Sequence, residues 1–188
     1  LLASGGSTNH TMHLVVIARA AGIIIDWNDI SDLSLVIPLL ARIYPNGEAD
    51  VNHFHAAGGT GFLFGELLRA GYLHPDATTV WGESFKDYCV EPKLKDGNLR
   101  WDKTPTKPLD RSVLSGVDQP FESEGGIRLL EGDFGRAIIK TSAVERRHQK
   151  IKAPAVVIER QEDLTTLFKL GRLDRDCVVV VRYQGPKA

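Results

Sequence analysis

Five consecutive residues near the amino end, Gly5-Gly6-Ser7-Thr8-Asn9, are the first whose types and order could do chemistry. Paired glycines let the backbone pass close to a ligand, because neither carries a Cβ. The apolar run from His10 to Ala21 has the character of a helix with Gly22 placed to close it. The first turn of such a helix offers unpaired N–H groups and the positive end of a dipole, and the hydroxyls of Ser7 and Thr8 and the amide of Asn9 add donors beside it. This chemistry suits an anion such as phosphate or carboxylate. The same residues also describe an ordinary capped helix after a tight turn, and spacing alone leaves both readings open. A second cluster, Ala57-Gly58-Gly59-Thr60-Gly61, follows the same logic with fewer side-chain donors. Its plainer reading is close backbone packing at a helix start.

Histidines and cysteines are the natural places to look for a metal. His10 and His13 would share one helix face, and His53 and His55 one side of an extended strand. No carboxylate stands beside them at a recognised ligand spacing, and no H-E-x-x-H occurs, so hydrogen bonding near the glycine turns is the reading for His10 and His55. Glu48 and Asp50 read as solvated loop charges. Cys89 and Cys177 belong to no C-x-x-C pattern, and two thiols cannot complete a closed zinc or iron–sulfur site. Each is expected as a free, half-buried thiol in a reducing compartment. Arg182-Tyr183-Gln184-Gly185-Pro186-Lys187 follows the most apolar run of the chain and reads as a ligand loop or an exit turn. Arg146-Arg147-His148 reads as solvated surface. The nucleophile elbow, the Walker loop and the dinucleotide fingerprint have no match.

The elements that must position these residues change character along the chain. A second helix is expected to start at Asp29 or Ser31, with Pro38 either kinking it or opening another at Leu39. Ile23-Ile24-Ile25 reads as a short buried strand or connector, Tyr44-Pro45-Asn46-Gly47 as a turn, and Phe62 to Ala70 as a helix closed by Gly71. Asp96-Gly97 marks a hairpin within Lys93–Trp101, and Pro105, Pro108 and Pro120 punctuate a linker-like stretch. Beyond Gly125-Gly126, Ile127–Leu130, Ala137–Thr141 and Ala155–Ile158 read as strands, with Glu131-Gly132-Asp133 and Gly135 as a hairpin turn between the first two. Glu162–Leu170 reads as a helix closed by Gly171, and Cys177–Val181 as a strand buried on both faces.

Composition narrows the function classes. The chain has 188 residues, of which 43% are hydrophobic and 25% charged, enough apolar surface to fold. A formal charge of −1 with no basic run argues against nucleic acid as a partner, and no apolar stretch reaches the roughly 18 residues of a membrane span. Leu1-Leu2-Ala3 reads as the end of a segment already under way, and Lys187-Ala188 directly follows a strand. The expectation is a piece of a longer protein.

The run Gly5-Gly6-Ser7-Thr8-Asn9-His10 resembles a signature of the dihydroxy-acid and 6-phosphogluconate dehydratase family. The likeness continues in order through His55-Ala56-Ala57-Gly58-Gly59, Gly125-Gly126, Glu131-Gly132, Lys140-Thr141-Ser142-Ala143-Val144 and Arg182-Tyr183-Gln184-Gly185-Pro186. The lead-in Tyr44 to Phe54 resembles the phosphogluconate branch rather than the dihydroxy-acid branch. This resemblance implies a cytoplasmic, homodimeric hydro-lyase of the Entner–Doudoroff pathway and of gluconate use. It would dehydrate 6-phospho-D-gluconate to 2-dehydro-3-deoxy-6-phosphogluconate. A phosphorylated sugar acid is then the partner, with neither nucleic acid nor membrane. It also implies an iron–sulfur cluster, 4Fe-4S ahead of 2Fe-2S, with Mg2+ as a further candidate, since a metal on the departing hydroxyl supplies the stabilisation that a poor leaving group needs. Neither Cys89 nor Cys177 matches a cluster position of the family, so no metal ligand and no catalytic base is carried over. Ser7, Thr8, Asn9, Gly58 and Gly59 are carried over as substrate-lining residues. The implied fold is α/β plus β-rich: residues 1–120 as the end of an α/β N-terminal, cluster-binding domain, residues 121–188 as the first part of a barrel-like swivelling domain. Alternatives are a dihydroxy-acid or sugar-acid dehydratase, or a non-catalytic anion-binding module. The chain alone is expected to be inactive.

Overall fold

A computed structural model describes residues 1–184. Gly185, Pro186 and Lys187 of the exit loop singled out above lie outside the described residues. The chain divides into two compact units, Leu1–Glu145 and Arg146–Ala188.

In the first unit the helix boundaries follow from capping chemistry. Helix α1 (Thr8–Ala20) starts at Ser7, whose extended backbone and hydroxyl cap the N–H of Asn9. It ends in a Schellman motif: Gly22 N–H donates to Arg19 O and Ile23 N–H to Ala18 O, with Gly22 at φ +76°. Ile23 and Ile24, read from sequence as buried, are exposed, because the chain beyond this cap runs over the surface. Helix α2 (Trp27–Val36) begins earlier than Asp29 because Asp26 forms a reciprocal capping box with Asp29. Pro38 neither kinks α2 nor opens a helix. The residue before a proline avoids the helical region, so α2 stops at Val36 and Ile37 is extended.

Leu39 to Ile43 then cross the core as extended chain, bridging Glu122, Leu114 and Ala49. Leu40, Ala41 and Leu114 have no exposed surface. Ala41 packs with Ala57, Phe62, Val113 and Leu114, while Leu40 packs with Ala3, Leu63 and Leu67. The proline-punctuated stretch is therefore no solvated tether along its length, since Val113 and Leu114 are core residues.

Val51–Ala57 is a helix, α3, rather than the extended strand expected around His53 and His55. Asp50 caps it, and the His53 ring reaches back to the Asp50 N–H. Helix α4 (Gly59–Arg69) follows with Gly58 as the shared junction, and closes on Gly71 as expected. Strands β1 (Val90–Lys95) and β2 (Asn98–Lys103) form the hairpin around Asp96-Gly97, both at positive φ. Strands β3 (Ile127–Gly132) and β4 (Gly135–Lys140) form a second antiparallel hairpin, and Thr141–Ala143 turns off as a 3-10 segment.

The second unit places β5 (Ala155–Ile158), helix α5 (Gln161–Lys169) and β6 (Val178–Val181) in succession, with β5 and β6 parallel. A helical crossover is what parallel pairing requires. Residues of β6 alternate exposed and half-buried, so the expected burial on both faces is not found: within the described residues β6 pairs only with β5. The sheets are small, each with two strands, and no closed barrel occurs among the described residues. The observed class is mixed helix and sheet.

Candidate functional site

Gly5 opens the amino-terminal cluster. It adopts φ +64°, which favours glycine, and a Cβ there would lie 1.8 Å from Asn46 Nδ2 and displace that amide. Its carbonyl accepts two hydrogen bonds, from Asn46 Nδ2 at 3.1 Å and from the Lys140 ammonium. Asn46 Oδ1 in turn accepts from Ser142 Oγ at 3.1 Å. Behind them, Gly126 O accepts from Thr141 Oγ1 at 3.1 Å and from Ser142 N–H at 3.2 Å. Three segments far apart in sequence therefore converge on the turn that launches α1. Partial burial pushes the Lys140 ammonium below the usual lysine value.

Ser7, Thr8 and Asn9 sit in the first turn beyond this knot. Ser7 and Asn9 are exposed, and the Ser7 hydroxyl accepts from Asn9 N–H at 3.1 Å. Thr8 is half-buried, and its carbonyl accepts from Thr11 Oγ1 at 2.6 Å. Gly58 and Gly59 are both buried, at φ +136° and +61°, where α3 breaks into α4. Ser4, just before the first cluster, lines a cleft of about 600 Å³ with His55, Gly59, Thr60 and apolar side chains. Ser7, Thr8 and Asn9 stand outside that lining. A second cleft of about 380 Å³ lies against the knot, lined by Arg42, Asn46, Glu48, Ser112, Glu122 and Ser142 among others. Arg42 stacks over the Phe121 ring at 4.5 Å.

The histidines do not gather. His53 is paired with Asp50 at 2.8 Å and His55 Nε2 lies 3.2 Å from Glu91 Oε1. Two apart on a helix, they face different ways. Asp50, read from sequence as a loop charge, is a helix cap, and its carboxyl is held below the ordinary range by the His53 backbone N–H. Among the described residues no group of three or more His, Cys, Asp or Glu is placed to hold a metal ion. Cys89 is half-buried, and burial pushes its thiol up. The described residues, with two cysteines and no metal-holding group, do not fit an iron–sulfur cluster.

Asn46, Lys140 and Ser142 escape a residue-by-residue reading because 41 and 135 positions separate Asn46 and Lys140 from Gly5. Each lay within a stretch noted for its family likeness, yet nothing in spacing joined those stretches.

Comparison with known proteins agrees with that likeness. Residues 1–88 match the family model for the dihydroxy-acid/6-phosphogluconate dehydratase N-terminal region, and residues 112–188 match its C-terminal counterpart. Across all 188 residues the chain is 58% identical to a phosphogluconate dehydratase of Escherichia coli K12 and 54% to one of Pseudomonas aeruginosa. It is 35% identical, over 99% of its length, to a dihydroxy-acid dehydratase of Caldanaerobacter subterraneus. The chain spans about 31% of the length of each of these relatives. With both regional models matched in order and identity sustained from the first residue to the last, the chain belongs to the dihydroxy-acid/6-phosphogluconate dehydratase family.

Proposed function

We propose that this chain is a section of a hydro-lyase that dehydrates 6-phospho-D-gluconate to 2-dehydro-3-deoxy-6-phosphogluconate and water, in the Entner–Doudoroff pathway. The observation that carries this reading is the gap in identity, 58% against a phosphogluconate dehydratase and 35% against a dihydroxy-acid dehydratase over essentially the same residues. In the reaction a proton leaves C2, the C3 hydroxyl departs, and the resulting enol becomes the ketone. This segment contributes binding rather than proton transfer. Ser7, Thr8 and Asn9 present the α1 amino end and its polar side chains to an anionic group of the substrate. Gly58 and Gly59 give the backbone at the α3–α4 junction its shape, because at φ +136° and +61° they turn the chain where a side chain would be strained.

An iron–sulfur cluster, 4Fe-4S ahead of 2Fe-2S, with Mg2+ as a further candidate, would be held mainly by residues other than those described and would supply the Lewis acid for the departing hydroxyl. The reading extends to a cytoplasmic homodimer. It assigns residues 1–120 to an α/β cluster-binding domain and 121–188 to the beginning of a swivelling β-rich domain. The test is to assay the full-length protein on 6-phosphogluconate and on a branched dihydroxy acid. Preferential turnover of the phosphorylated sugar acid supports the reading; preference for the dihydroxy acid overturns it in favour of the sibling activity.

A further inference from the structure

We propose that Asn46, Lys140 and Ser142 form a positioning clasp that fixes the Gly5 carbonyl and so sets the orientation of the substrate-binding turn Gly6–Asn9. The role rests on the functional reading above for its activity readout and on geometry alone for its structural one.

Three observations carry it. First, a single carbonyl oxygen accepts both an uncharged amide donor from Asn46, at 3.1 Å, and an ammonium donor from Lys140. A carbonyl has two lone pairs, so both are used and the peptide plane between Gly5 and Gly6 is pinned from two directions. Second, the donors are themselves held. The other atom of the Asn46 amide accepts from Ser142 Oγ, which fixes its flip state. Lys140 ends strand β4 opposite Ile127, and the two residues after it, Thr141 and Ser142, both donate to Gly126 O. Third, the clasp leaves no room for error at the clasped residue, since a Cβ on Gly5 would collide with the Asn46 amide nitrogen. Partial withdrawal of the Lys140 ammonium from solvent carries a cost, as its lowered proton affinity reflects. Such a cost is characteristic of a group whose placement matters.

None of the three touches substrate in this role. They act through the backbone of Gly5: with its carbonyl pinned, the next N–H groups and the Ser7 cap point in one direction, as an anion site needs. Ser142 and Asn46 also line the adjoining 380 Å³ cleft, so the clasp is reached from solvent on that side.

The experiment uses the full-length protein that carries this segment, with Asn46→Ala, Lys140→Met and the conservative Lys140→Arg. Hydrogen exchange is followed at residues 5–9 and, as a fold control, at the β3–β4 hairpin, alongside kcat and KM for 6-phosphogluconate. The expected result is faster exchange at residues 5–9 with unchanged protection of the hairpin, and kcat lowered about 10- to 100-fold, as misplacement of a binding turn produces. Lys140→Arg, which keeps a charged donor, recovers most of both signals. Unchanged exchange at residues 5–9 in both disruptive variants overturns the proposal, as does kcat within about twofold of the parent protein. If hairpin protection collapses in Asn46→Ala or Lys140→Met, Ser142→Ala is the deciding variant, since it frees the Asn46 amide without removing either Gly5 donor. If the parent protein does not turn over 6-phosphogluconate, the functional reading fails while the exchange signal still decides the clasp.

Discussion

Ser34 on α2 has 1% of its surface exposed and joins two backbone partners where the chain enters β3. Its Oγ accepts from Ile127 N–H at 3.0 Å, and its carbonyl accepts from Gly125 N–H at 2.7 Å. Ser34→Ala leaves the Ile127 N–H buried without that acceptor, so it should cost about 1–3 kcal/mol of stability. Thr11 is the informative contrast, equally buried but with its hydroxyl donating to Thr8 O inside its own helix. Thr11→Val keeps the shape and should cost roughly 1 kcal/mol or less. Denaturant titration of both variants in the full-length protein measures the difference, and equal losses would show that the Ser34 bond carries no special weight. Glycines allow the same kind of subtraction. Gly126 and Gly71 have similar positive φ, +73° and +77°, but a Cβ would lie 2.3 Å from Ser142 Cβ at the first and meet nothing within 4 Å at the second. Gly71→Ala should therefore cost only the left-handed backbone penalty, about 1–2 kcal/mol, and Gly126→Ala clearly more. A Gly126→Ala variant no less stable than Gly71→Ala would mean that Ser142 yields freely.

Helix starts carry a pH signal at the scale of elements. Asp26 and Asp50 both accept from backbone N–H groups at the starts of α2 and α3, chiefly those of Asp29 and His53, and both carboxyls are held below the ordinary range. In the unfolded chain they titrate at roughly 3.9. A lowered folded value means that the folded state binds protons more weakly. Their contribution is then fully present above about pH 4 and disappears as pH falls through the lower folded values. Asparagine is also a good cap but does not titrate, so Asp26→Asn with Asp50→Asn should leave neutral-pH stability near the parent and flatten the loss on acidification. Thermal melts between pH 7 and 3 provide the check, and an unchanged acid slope would assign it to other groups. Caps are also where the sequence was most legible. Gly22, Gly71 and Gly171 each close a helix through the same pair of backbone bonds, and both hairpins sit on the turn residues that marked them. Helix α3 was missed because seven residues carry little periodicity, although Asp50 with His53 three places later was a cap signal. The extended passage of Leu39 to Ile43 was hidden for another reason. Its partners Glu122 and Leu114 are bridged only in the folded chain, and no local pattern encodes so distant a pairing. The glycine turns were visible for the same reason that the caps were, and the clasp residues were not, for the same reason as this passage.

At the scale of the molecule, the surface of the isolated chain is more apolar than its composition suggests. Val16 and Ile17 of α1, Ile24 after it and Val36 of α2 are each more than half exposed, and so are Phe168 and Leu170 in the second unit. Apolar side chains grouped in this way on a helix mark surface that binds something else or associates with itself. Meanwhile the described residues assemble no metal-holding group of three, and the chain amounts to about 31% of the length of its dehydratase relatives. Apolar surface able to meet neighbouring protein is thus present on both units, each taken by itself. The 188-residue chain expressed alone is accordingly expected to bind a hydrophobic dye strongly, to self-associate as its concentration rises, and to show no turnover of 6-phosphogluconate after incubation with iron and sulfide. The full-length protein under the same treatment should bind less dye per chain and turn substrate over. Measurable dehydration by the isolated chain would place the reactive groups within it, and the assignment of Ser7, Thr8 and Asn9 to binding alone would have to be replaced by one that gives this segment the proton transfer.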